Sequence, residues 1–101
     1  TKHAHKIGTV ALAIPGSLNV DLSQSWINDF VSARTETLYR AKGIVAIHGQ
    51  AARLVFHGVH GHFRAAFDRP WGKETPTSRL VFIGQDLDRA EIEEGLASCR
   101  V

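Results

Sequence analysis

Methionine is absent from the 101 residues, and cysteine occurs once, as Cys99. A single cysteine excludes an internal disulfide and fits a reducing compartment, so a cytoplasmic setting is expected. A chain that begins at Thr1 and lacks methionine throughout suggests a piece of a longer polypeptide. No apolar stretch nears the ~20 residues of a membrane span, and no signal peptide is present. No Gly-x-x-x-x-Gly-Lys-Ser/Thr occurs, which excludes a nucleotide cradle of the P-loop kind. Cys-x-x-Cys, His-Glu-x-x-His and EF-hand patterns are missing too, so no strong metal signature exists. No Ser-His-Asp set can be recognised from spacing. The net charge is only +2, and the basic residues do not form a run. With no aromatic RNP stretch to stack bases, nucleic-acid binding is not expected.

What is present is ordinary globular composition, 44% hydrophobic and 22% charged, long enough for one domain with one core. Residues 7–14 read as a strand with Val10, Leu12 and Ile14 on one face, stopped by Pro15-Gly16-Ser17. Asp21 is the expected cap of a helix, with Gln24 three residues on. Leu22, Trp26, Ile27, Phe30 and Val31 form its apolar stripe. Strands are expected at 38–47, 53–59, 63–67 and 79–84, with a turn at Gly49-Gln50 and a loop over "DRPWGKETPTS". The final helix carries the sharpest local signal. Asp88 caps it, Glu91 completes a capping box, and Leu87 and Ile92 form a hydrophobic staple. Ile92, Leu96 and Cys99 are its buried stripe, which makes Cys99 a core residue rather than a nucleophile.

The order β-α-β-β-β-β-α predicts an α+β two-layer domain: a mainly antiparallel sheet with both helices on one face. "LVFIG" at 80–84 and "LVF" at 54–56 are apolar on both faces, where a half-exposed sheet would alternate. The second face is therefore expected to be covered by another domain or subunit.

Six histidines are an excess, and three fall in "LVFHGVHGHF" at 54–63. If 54–62 is one unbroken strand, His60 and His62 share a face with Leu54 and Phe56, and His57 lies opposite. Gly58 and Gly61 leave room for a bulge that would change this register. Zinc needs three or four ligands, so the metal reading joins His60 and His62 to the His-x-His pair His3 and His5. His48 and His57 read as bound to nothing. Arg40 and Lys42 start a strand on one face, either as a solvated edge or aimed at a partner's carboxylates or a phosphate. Trp71 in "RPWG" reads as a loop anchor or an interface residue.

"LYRAKGIVAIHGQ", "LVFHGVHGHF", "RPWG" and "SRLVFIGQDLDRAEIEEGLASC" together resemble the C-terminal domain of CobW-type GTPases, and "HAHKIGTVAL" resembles the joint before it. The resemblance places a histidine-bearing linker end at 1–6 and the domain at 7–101. It implies an N-terminal GTPase domain holding GTP, Mg and a cysteine-rich site for Zn or Co, and a role in metal delivery or cobalamin synthesis. The positions matching the family motif are Arg40, Lys42, Gly43, His60, Trp71 and Arg79, whereas His62 stands where an apolar residue often does. The expected function is a non-catalytic client-binding or regulatory domain. Its partners would be its own GTPase domain, a client metalloprotein and a second copy in a homo-oligomer, with neither nucleic acid nor membrane. The alternative is an autonomous metal-binding domain built on His3, His5, His60 and His62.

Overall fold

Seven elements follow in the expected order in the structure, a computed structural model that describes residues 6–101. They are β1 (Ile7–Pro15), α1 (Val20–Ser32), β2 (Leu38–Val45), β3 (Ala52–Val59), β4 (His62–Pro70), β5 (Thr77–Gln85) and α2 (Arg89–Ala97). The sheet order is β1-β5-β2-β3-β4, and every pairing is antiparallel. Val10, Leu12 and Ile14 of β1, Phe56 of β3, and Leu80 and Phe82 of β5 are buried on one face. They meet Ile27, Phe30 and Val31 of α1 and Ile92 and Leu96 of α2 in one cluster, which Cys99 joins. Both helices therefore cover the same face, and the core closes with residues of this chain alone. Among the described residues no helix is long and apolar enough to cross a membrane.

The start of α1 differs from the sequence expectation. Asn19, not Asp21, is the cap: its side chain accepts from the Leu22 N–H at 2.9 Å. The reason is tertiary. The Leu18 N–H donates to Ala46 O, the His48 N–H to Leu18 O, and the Asn19 N–H to Cys99 O, at 2.8 to 2.9 Å. These bonds hold the chain extended up to Asn19 and let the helix begin there, leaving Asp21 in the first turn. The stripe also rotates. Leu22 is 53% exposed and Ser23 is buried in its place.

Asp88 caps α2 as expected, accepting from the Ala90 and Glu91 N–H groups. The Glu91 carboxylate does not return to the cap. It accepts two bonds from Arg34, whose guanidinium also lies over the Phe30 ring at 3.9 Å.

The hairpin region holds the larger corrections. β3 stops at Val59, where the expected strand 53–59 ends, and His60-Gly61 form the turn, with φ of 51° and 82°. Two left-handed residues joining paired Val59 and His62 match the twist of antiparallel strands. Residues 54–62 are thus not one strand, and His60 does not alternate with His62. Gly61 also allows the tip to sit on Thr35, whose Cγ2 would lie 2.7 Å from any added Cβ. β4 then continues past Phe67 through Asp68-Arg69-Pro70, three residues expected in the loop. An edge strand tolerates proline, and Pro70 still pairs with Ala52 across a register shift.

Candidate functional site

The helix-free face of the sheet is the site that the sequence residues build. Strand register sorts its side chains into cross-strand rows. Thr9, Ile83, Arg40, Val59 and His62 form one row; Ala11, Val81, Lys42, His57 and Arg64 form the next; Ala13, Arg79, Ile44, Val55 and Ala66 form the third. Cations and aliphatic side chains are therefore interleaved. Ile44, Val55, Val81 and Ile83 are half-buried, while Arg40, Lys42, His57, Arg64 and Arg79 are exposed. The apolar second face expected from "LVFIG" is real, but basic residues stud it.

Between these rows lies a shallow hollow of about 560 Å³, floored by Ile44, Val55 and Val81 and ringed by Arg40, Lys42, His57 and Arg79. Arg79 also lines a second hollow of about 450 Å³ with Arg53, Glu74 and Trp71. Trp71 is half-buried, its N–H donates to Ala51 O at 2.9 Å, and its indole Nε1 is buried without a hydrogen-bond partner among the described residues.

The carboxylates near this face are already engaged. Arg53 grips Asp68 through Nε to Oδ1 at 3.1 Å and a second, shorter bond from Nη2. That bond is the main reason the Asp68 carboxyl falls to about 2 and the Arg53 guanidinium rises. Arg69 likewise donates to Glu74 at 2.8 Å and holds its carboxyl below the usual range. Among the described residues the side chains of Arg40, Lys42, Arg64 and Arg79 form no ion pair. His57 stands across from Lys42 on one side and from Arg64 on the other. Among the described residues no carboxylate pairs with the cations of this face.

Of the family-motif positions, Arg40, Lys42 and Arg79 come together on this face. Trp71 adjoins them through Arg79. Gly43 lies on the opposite face of β2, where an added Cβ would sit 2.7 Å from both Phe56 Cε1 and Arg79 O; its visible role is to let the Phe56 ring pack close. His60 stands apart at the hairpin tip. His3 and His5 lie outside the described residues. His57 and His62 share the open face, the reverse of the grouping expected for an unbroken strand. Among the described residues no three of His, Cys, Asp and Glu gather closely enough to hold a metal ion. His57 and Arg64 are the site residues that sequence reasoning missed. For Arg64 the His60-Gly61 turn was the signal, because it fixes the face of each residue after it, whereas His57 keeps the face opposite Leu54 and Phe56 that alternation gives it.

Comparisons with known proteins agree with this architecture. The family model "Cobalamin synthesis protein cobW C-terminal domain" matches residues 7–100. The zinc chaperone YjiA of Escherichia coli is 45% identical over 65 residues, covering 64% of this chain and 20% of the relative. The zinc chaperone CobW of Pseudomonas aeruginosa is 45% identical over 60 residues, covering 58% and 16%. The crystal structure of Zn(II)-bound YjiA GTPase from E. coli superposes with a TM-score of 0.89 at 32% identity, over 94% of this chain and 30% of that one. The chain thus spans a fifth or less of the curated relatives it matches.

Proposed function

Because this chain belongs to the cobalamin synthesis protein cobW C-terminal domain family, we propose that it is the non-catalytic docking domain of a GTP-dependent metallochaperone. The sheet face is the surface that a protein partner covers, either the protein's own N-terminal GTPase domain or a client metalloprotein. One observation carries this reading: half-buried Ile44, Val55, Val81 and Ile83 line a helix-free face among cations that form no ion pair among the described residues.

Nucleotide chemistry is assigned outside this chain, since the sequence has no phosphate loop. GTP, Mg and the Zn or Co cargo would belong to the N-terminal domain, in the cytoplasm where GTP is supplied. The described residues do not fit a zinc site of their own, because His57 and His62 are two donors where three or four are needed. The histidine-based alternative would need His3 and His5 to reach the hairpin. Zinc titration of this chain tests it, and binding that survives alanine at His3, His5, His60 and His62 removes that ligand set.

The docking reading is tested in the full-length protein. Ile44→Gln with Val81→Gln is expected to leave the domain folded, because both side chains are only half-buried. Zinc transfer to an apo-metalloprotein should fall at least tenfold. Unchanged transfer together with unchanged GTP turnover overturns the proposal.

A further inference from the structure

We propose that the occupant of the open sheet face is an acidic, amphipathic protein segment whose carboxylates alternate with aliphatic side chains. This rests on the docking reading and specifies its chemistry.

Three observations converge. First, Arg40, Lys42, Arg64 and Arg79 all project from one face, and among the described residues none forms an ion pair. Nearby acids do not spare a carboxylate for them, because Asp68 is held by Arg53 and Glu74 by Arg69. None of the four has an acidic residue across from it in the register, so like charges gather on one face of β2, β4 and β5 and leave a site that an external anion completes.

Second, the cations are spaced like a strand. Arg40 and Lys42 are two residues apart on β2, about 6.8 Å, and Lys42 and Arg64 are two strands apart, about 9.6 Å. An extended or helical segment can match such intervals with Asp and Glu, and guanidinium groups bind carboxylates in two-point fashion.

Third, the ground between the cations is aliphatic. Ile44, Val55, Val59, Val81 and Ile83 separate them, and the three rows contain no Phe, Tyr or Trp, only the imidazoles of His57 and His62. A nucleic-acid platform needs rings on which bases stack. Branched aliphatic surface instead suits side chains of a protein partner, so the observations favour an acidic peptide over a polyphosphate.

The test uses this 101-residue chain, which encloses its own core, and fluorescence anisotropy of a labelled peptide alternating Glu with Val and Leu. The peptide is expected to bind in a salt-sensitive manner. Arg40→Glu with Lys42→Glu should weaken binding at least tenfold, and Arg89→Glu, exposed on α2 across the domain, should change it less than twofold. The same peptide with Lys in place of Glu should not bind. The inference is overturned if the double reversal leaves affinity unchanged, if the Lys peptide binds as well, or if a thymidine oligonucleotide or phosphatidylserine vesicles bind more tightly. Failure here with loss of zinc transfer in the Ile44→Gln, Val81→Gln protein would leave docking standing and remove only the acidic partner. Peptide binding with transfer unchanged in that protein would remove the docking reading instead.

Discussion

Gly95 of α2 lies against Trp26 of α1. An added Cβ would stand 2.2 Å from the Trp26 indole, so the two helices meet at their present distance only because that side chain is a hydrogen. Trp26 in turn stacks on Phe30 at 5.0 Å, which ties the contact to the core. Gly95→Ala sets two effects against each other. Alanine gains up to about 1 kcal/mol of helix propensity, but overpacking a ring costs about 1–3 kcal/mol. The clash is deep enough for the second to win, and chemical denaturation should report net destabilisation. The sequence shows a glycine inside a helix and nothing of this contact, because the partner lies far away along the chain.

At the scale of elements, α1 offers a test of where its start is decided. Asn19→Ala removes the hydrogen bond to the Leu22 N–H and should cost about 1 kcal/mol. Asp21→Ala should cost clearly less, because Asp21 contributes charge in the first turn and no cap. Equal losses in thermal unfolding would restore Asp21 as the cap. The β3–β4 hairpin carries a different test. The folded Asp68 carboxyl titrates near 2, and an unfolded one near about 3.9. A depressed carboxyl contributes stability above its unfolded value, and that contribution is lost as pH falls from about 4 toward 2. Asp68→Asn should therefore show a shallower decline of the urea midpoint across that window than the unaltered chain. Much of this level was readable. The periodicities of β1 and α2, the Asp88 cap and the burial of Ile92, Leu96 and Cys99 all follow from spacing. The extension of β4 through Pro70 was not readable, since proline ends a central strand but not an edge strand, and only the sheet order shows that β4 is an edge.

For the whole molecule, charge is divided between layers. Asp21, Asp29, Glu91, Glu93 and Glu94 lie exposed on the helices, while Arg40, Lys42, Arg64 and Arg79 lie on the sheet face. The mild net charge of +2 conceals this separation. A face kept basic for recognition should be a face kept below its best stability. Lys42→Val is expected to raise stability by about 0.5–1 kcal/mol, by removing one of the cations gathered on this face and placing a β-branched side chain beside Val81. The same change should weaken binding of the acidic probe. A midpoint that stays the same or falls would show that Lys42 is not held there at a cost.

Alternation, capping patterns and turn residues act over a few positions, so the chain by itself determined its α+β order, the helix-covered core and the apolar second face. Its motif residues also determined the family. Which of those residues would meet was decided only by folding. Facing on a sheet depends on where each strand ends and which strand lies beside it. The left-handed His60-Gly61 turn left His60 outside β3 and set Arg64 across from His57, while the β2–β3 register set His57 across from Lys42. Placing β5 between β1 and β2 then brought Arg79 beside Ile44 and made scattered cations into one surface.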